Sequence, residues 1–343
     1  MSIELGCTSY TWTNADETLH FMGRTFDAAP TELLVQFQPR GYRFAHLPLH
    51  DDAPVTVTPY ALVGIGAPFE TPLLDDAVNE HGLMATMQLY PPARYAPLDA
   101  GGGLGLNPLC FVGFALGQCA TLEEVSQLAR RVTLVDDAAN GLVAPVHYHF
   151  SDTRGRSMIV EPTSDGSGRL GVYENAIGVM TNAPAYPWHV TNLRNYIMLQ
   201  PAGHEPRTVC GVELERFGSG SGLRGMPGDY SSPSRFVRMA YTKEFLKKGV
   251  SELGCVVRMF KGFSTVTVPE GVDEANFGGD EADGKPVYDV SLYTCVMCAE
   301  SRTYYFLTSE TLGVQAVRLD DLVGKAERAS WPLPRQTHVE YLA

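Results

Sequence analysis

The sequence predicts an α+β fold built on largely antiparallel sheets, and three observations carry that prediction. Strand-like runs come in pairs across tight turns. Helical segments stand apart from those pairs. No glycine-rich loop joins a strand to a helix in the way a doubly wound nucleotide fold requires. Gly 34 and Pro 23 make up about a sixth of the chain, which suits many turns between short elements.

Taken in order, the first helix is signalled at Asn107-Pro108, an N-cap followed by proline at the first helical position, and continues through LCFVGFALGQC. Apolar residues all around it predict a helix covered on most sides. Thr121-Leu-Glu-Glu124 is a capping box opening EEVSQLARR. VHYHF, leading into Ser151, and SMIVE (157–161) read as strands joined by the hairpin signal Asp152-Thr-Arg-Gly155, and IGVMTN (177–182) reads as another. Ser232 and Ser234 precede the helical run RFVRMAYTKEFLKK, closed by Gly249. VSLYTCVM (290–297) and TYYFLT (303–308) form a second strand pair around Ala299-Glu-Ser-Arg302. The loosest stretches are 99–107, 217–230 and 268–285.

The chain has 343 residues, enough for one large domain or two, and no linker or repeat clearly divides it. Its formal net charge of −13 argues against a duplex nucleic-acid binder, which needs basic residues to replace counterions. No apolar run reaches the roughly 18 residues of a membrane span. Residues 1–6 have neither a basic region nor a long apolar stretch, so no secretory signal is expected. Seven cysteines is an odd count for a disulfide scaffold and reads as reduced thiols in a cytoplasmic protein.

Several candidate motifs have a simple structural reading. Cys295-Val-Met-Cys298 is a lone CxxC in a strand-like run, expected to be buried thiols and not a zinc or redox site. His147 and His149 share a strand face, but two ligands close no metal site and no Asp or Glu sits at a telling spacing. GGGLG (101–105) and GSGSG (218–222) lack the strand, helix and Lys-Ser/Thr of a phosphate loop.

Gly6-Cys7-Thr8-Ser9, followed by Gly23-Arg24-Thr25-Phe26-Asp27, is different. If the residues before Cys7 are removed, its α-amine, with an ordinary pKa of about 7.7–8, can serve as base for its own thiol. One residue then supplies nucleophile and base together. Gly6 suits the strained backbone that self-cleavage would require.

Six ordered blocks extend this reading: CTSYTW, GRTFD, DAVNEHGLMATMQLYP, GVMTNAPAYPWHVTNLRNY, MPGDYSSPSRFVRMAY and SLYTCVMCAESRTYYF. Together they resemble the choloylglycine hydrolase family, which contains bile salt hydrolases and penicillin V acylases, from Cys7 to about Val317. The resemblance implies a four-layer αββα sandwich of the N-terminal nucleophile hydrolase type. It implies one domain over 7–343 after autocatalytic loss of a 1–6 leader, a homotetramer, and no cofactor or metal.

Carried over by residue, Cys7 resembles the nucleophile and Arg24 the arginine beside it, which would favour thiolate. Asp27 resembles the carboxylate holding the α-amino group. Asn182 resembles the amide donating to the oxyanion, and Arg235 the second arginine that orients the site. The implied chemistry is two-step transfer of an acyl group from an amide through a Cys7 thioester to water.

The chain departs from the family at Leu89, where many bile salt hydrolases carry asparagine and penicillin V acylases tyrosine. Its backbone N–H would still supply the second oxyanion donor. The substrate expected is a small amide with an apolar acyl group, with conjugated bile salts preferred and penicillin V the alternative. Both are anions, so attraction must be local, with Arg24 and Arg235 as its sources. Interception of the thioester by an amine would make the protein an N-acyltransferase. Retention of the leader would make it a binding protein only.

Overall fold

The computed structural model describes residues 6–100, 104–274, 287–337, 339 and 341. Residues 1–5, glycines 101–103 and much of the 268–285 stretch lie outside the described residues. Two antiparallel sheets form the centre. The six-stranded sheet runs, edge to edge, Val179–Met180, Thr8–Thr13, His20–Ala28, Val290–Cys298, Thr303–Thr308 and Gln315–Arg318. The eight-stranded sheet runs Leu170–Glu174, Ser157–Pro162, Val146–Ser151, Met84–Leu89, Leu73–Asn79, Leu62–Ala67, Leu34–Gln38 and Ala329–Pro332.

Helices α1 (Phe111–Gln118) and α2 (Leu122–Ala129) cover the outer face of the larger sheet. After α3 (Tyr186–Asn192), α4 (Ser232–Phe245) and α5 (Glu252–Phe263) pack on the outer face of the smaller one. Three buried clusters mark the three interfaces of this four-layer αββα sandwich. Phe111, Phe114 and Leu116 of α1 meet Tyr148 and Phe150. Met22, Tyr293 and Met297 meet Val63, Ile65 and Met84 between the sheets. Phe21, Val296 and Cys298 meet Phe236, Met259 and Phe263 on the helix side.

A strand between two apolar layers buries both faces, so its sequence need not alternate. In Val290–Cys298, Tyr293, Cys295 and Met297 face the other sheet while Val296 and Cys298 face the helices. The two thiols of the CxxC therefore point to opposite sides. Both are buried and free, and burial pushes both up, Cys298 to about 12.

The expected caps form. Asn107 accepts from the Leu109 N–H at 2.9 Å, and Pro108–Cys110 makes one 3₁₀ turn into α1, which is buried except at Gln118. Thr121 accepts from the Glu124 N–H at 3.2 Å, while Glu124 takes the N–H of Ala120. The hairpin turn closes with Gly155 at φ +71°.

Three expectations need correction. α4 starts at Ser232, with Pro233 in its first turn, and stops at Phe245 because Leu246 turns extended at ψ 123°, short of Gly249. IGVMTN pairs only at Val179–Met180, because Gly178 turns at φ +66° before it and Asn182 leaves the sheet after it. α3 and α5 were not among the expected helices. α5 carries readable signals: Ser251 caps the Gly254 N–H at 3.2 Å, and Cys255, Val256, Met259 and Phe263 form its buried stripe.

Gly23 has a steric role beside the site. A Cβ there would stand 2.4 Å from the Cys295 carbonyl oxygen and 2.8 Å from the Phe263 ring, so glycine lets α5 lie close over the strand that carries Arg24.

Candidate active site

The fold brings all six expected residues into one place. Cys7 leads directly into the Thr8–Thr13 strand, whose antiparallel neighbour carries Arg24 and Asp27, with Ser9 opposite Arg24. On the other side Ser9 pairs with Met180, two residues before Asn182. Arg235 lies in the first turn of α4, and Leu89 ends a strand of the opposite sheet.

Cys7 is buried, and the Arg24 Nη2 donates to its Sγ at 2.8 Å. Burial pushes the thiol up, and this outweighs the downward pull of Arg24 and Arg235. Arg24 thus favours the thiolate as expected, and burial opposes it more strongly. Asp27 is buried too. Burial raises its carboxyl to about 6 against the opposing effect of Arg235. It accepts from the hydroxyls of Ser291 and, at 3.1 Å, Thr25.

With Gly6 attached, the Cys7 nitrogen is a peptide N–H with one hydrogen. It goes to Asn182 Oδ1 at 3.0 Å and not to Asp27. The same Oδ1 accepts from Arg235 Nη2 at 2.6 Å, and Asn182 Nδ2 donates to the Leu89 carbonyl at 2.8 Å. Arg235 also donates to the Cys7 carbonyl at 2.5 Å, Thr8 Oγ1 at 2.7 Å and the Tyr230 carbonyl at 2.7 Å. Gly6 threads between charged groups: a Cβ on it would lie 3.4 Å from Arg235 Nη2 and 3.4 Å from Asp27 Oδ2. Its φ is outside the left-handed region, so close packing is its role and the expected backbone strain is not seen.

A network invisible to local spacing holds the Asn182 turn. His147 bridges the Thr181 carbonyl (2.8 Å) and Glu161 (3.2 Å), and Glu161 also accepts the Tyr186 N–H at 3.1 Å. Glu161 is thus the acidic partner that spacing had not suggested for His147. His189 meets the Asn182 carbonyl at 3.0 Å and stacks on Phe236, and Ser232 Oγ accepts the Asn182 N–H at 3.0 Å. His149 lies below, between Ser9 and Ser157 at 2.9 Å each, and burial holds it well below its usual range. Among the described residues, no group of three or more His, Cys, Asp or Glu side chains is placed to hold a metal ion.

A cavity of about 430 Å³ opens beside Gly6, Asn182 and Arg235. Pro91, Tyr230, Pro233 and Val272 give it apolar walls, and Asp229 and Asp273 stand at it. Arg24 does not line it, and the Arg235 guanidinium is already held by four acceptors. Of the two arginines expected to attract anions, Arg235 lines the cavity, and these four neutral acceptors orient its guanidinium without cancelling its charge.

Comparison with known proteins agrees with this geometry. The bile salt hydrolase/transferase of Clostridium perfringens (strain 13 / Type A) is 28% identical over 312 residues, covering 88% of this chain and 89% of its own. The bile salt hydrolase/transferase of Lactiplantibacillus plantarum is 29% identical over 348 residues, covering 98% and 99%. The crystal structure of a cysteine-to-alanine mutant of the conjugated bile acid hydrolase of Clostridium perfringens superposes with a TM-score of 0.86 at 26% identity, covering 98% of this chain and all of that one. The penicillin V acylase of Agrobacterium tumefaciens shares the fold, with a TM-score of 0.72 at 18% identity over 94% and 90% of the two chains. No helix among the described residues is long and apolar enough to cross a membrane. Residues 7–323 match the family of linear amide C–N hydrolases of the choloylglycine hydrolase type, and the chain belongs to that family.

Proposed function

We propose that this hydrolase cleaves its amide with Cys7 as an N-terminal nucleophile, after residues 1–6 are lost, and that its preferred substrates are conjugated bile salts. The observation that carries the reading is the 2.8 Å contact between Arg24 and the Cys7 sulfur, with the Cys7 nitrogen held by the side chain of Asn182 beside a cavity. Cys7 Sγ attacks the carbonyl carbon while its proton passes to the α-amine, which becomes an ammonium beside Asp27. The oxyanion is taken by Asn182 Nδ2, released from the Leu89 carbonyl, and by the Leu89 N–H. The ammonium protonates the leaving nitrogen, the C–N bond breaks, and a thioester remains. Water then adds, giving its proton to the α-amine, and the acid leaves with the thiol restored.

Bile salts are preferred because relatives named for bile salt or conjugated bile acid hydrolysis match most of this chain. Penicillin V is the alternative substrate, and the two named hydrolase/transferases favour amine acylation as a second outcome of the same thioester. Initial rates on taurocholate, glycocholate and penicillin V, measured side by side, test this. Conjugated cholates are expected to turn over faster. A faster penicillin V rate would overturn the preference. Excess free amino acid in the same assay reports transfer, and no new conjugate means hydrolysis alone.

A homotetramer is the proposed assembly. The hairpin formed by Arg207–Val209 and Val212–Leu214 exposes Val209, Val212 and Leu214, and Phe217 beyond it is fully exposed, apolar area that an assembly would cover. Light scattering at four chain masses supports this, and one chain mass contradicts it. The seven cysteines are all free, which favours the cytoplasm. A thiol titration of denatured protein taken from cells that finds fewer than seven thiols would count against that.

A further inference from the structure

Asp76 is a carboxylate without exposure in the interior between the sheets, on the Leu73–Asn79 strand. Packing does not explain it, since an ionised carboxylate in such a place costs several kcal/mol unless it is paired and hydrogen-bonded. Its partners are specific. Tyr293 donates to Oδ2 at 2.5 Å and Tyr304 donates to Oδ1, the two phenols coming from adjacent strands of the opposite sheet. Oδ2 also lies 3.7 Å from Arg24 Nε. Burial pushes the Asp76 carboxyl up, while Arg24 and then the Tyr293 and Tyr304 hydroxyls pull it down, and two phenol donors beside a guanidinium are the partners that favour a buried carboxylate.

Arg24 is likewise without exposure. Carbonyl oxygens of Met87 (2.6 Å) and Asp75 (3.1 Å) take Nη1, the Thr25 carbonyl (3.3 Å) takes Nε, and the Cys7 sulfur takes Nη2. Carbonyl dipoles orient the guanidinium but do not cancel its charge. The sulfur lies on one side of it and the Asp76 carboxylate on another.

We propose that Asp76, held by Tyr293 and Tyr304, is a positioning residue for Cys7: it fixes the Arg24 guanidinium and balances its charge, so that Arg24 orients the thiol without stripping its proton. This rests on the reading of Cys7 as nucleophile. Asp76 thereby adds to burial in keeping the proton on the thiol until the α-amine takes it. The charged groups facing Cys7 are Arg24, Asp27 and Arg235, those facing Arg24 include Asp75, and the Cys295 thiol also faces Asp76.

The test is the pH dependence of Cys7 alkylation by iodoacetamide, read by peptide mass on purified full-length protein. In Asp76→Asn the arginine loses one of the two carboxyl groups that face it, Asp75 being the other, so the alkylation midpoint is expected to fall by about one pH unit, the low end of the effect of a charge at close range. Tyr304→Phe weakens the hold on the ionised carboxylate and is expected to move the midpoint in the same direction by less. An unmoved or raised midpoint in folded Asp76→Asn overturns the proposal. If that variant does not fold, an unmoved or raised midpoint in Tyr304→Phe does so. Full turnover by Cys7→Ser would instead refute the nucleophile reading, and the alkylation midpoints would still report the link from Asp76 to the sulfur.

Discussion

Cys7→Ser is expected to lower kcat for every amide substrate by about three orders of magnitude or more, and to leave residues 1–6 on the chain. The substitution is nearly isosteric, so the fold and the Asn182 contact to the Cys7 nitrogen should persist, with a thermal midpoint close to that of the parent. What changes is the acidity of the nucleophile. An α-amine of ordinary basicity, about 7.7–8, lies close to a thiol's ordinary pKa but far below a hydroxyl's, so proton transfer during the attack is much less favourable from serine in a site built for cysteine. Burial already raises the thiol at Cys7, which leaves little margin for a weaker acid. Initial rates with intact mass check both halves. Activity within tenfold of the parent would sink the assignment.

Asn182→Ala is expected to cost kcat about 10²–10³-fold, the scale of one lost oxyanion donor worth about 2.7–4 kcal/mol, with a smaller effect on KM. It also strands two donors, the Cys7 N–H and Arg235 Nη2, which now share Asn182 Oδ1. A stability loss of about 1–3 kcal/mol should accompany it, seen as a lower denaturant midpoint. Equal loss in kcat/KM and kcat identifies the transition-state role. A rise in KM with kcat unchanged would assign Asn182 to substrate binding only.

The parts of this protein legible in its sequence are those whose signal is local or whose residues travel in short blocks. Asn107-Pro108 and Thr121 announced two helices because a cap is a four-residue event. Cys7, Arg24 and Asp27 are readable because the blocks CTSYTW and GRTFD carry the family resemblance, and in the fold one hairpin joins them. The strands from Thr8 to Leu89 were not read from periodicity, since two central sheets packed between helices bury both strand faces and remove the alternation that marks a half-exposed strand.

The site's supports were illegible for a different reason. Tyr293 and Tyr304 reach Asp76 across 217 and 228 residues, and no spacing rule connects them. His147 and Glu161 meet only because their strands are neighbours. Arg24 does pull the Cys7 thiol down, as its charge in the sequence suggests, but the opposing burial is not visible in a sequence. In the folded chain the larger effect is burial.

The central claim is that the working chain begins at Cys7 and carries the acyl group there. The most direct measurement is the mass of the amino-terminal peptide from active enzyme, acid-quenched during turnover. A peptide starting at Cys7 and heavier by one hydroxylamine-labile acyl group is the predicted result. A chain that turns over substrate while retaining Met1–Gly6, with no acyl group on Cys7, would contradict it.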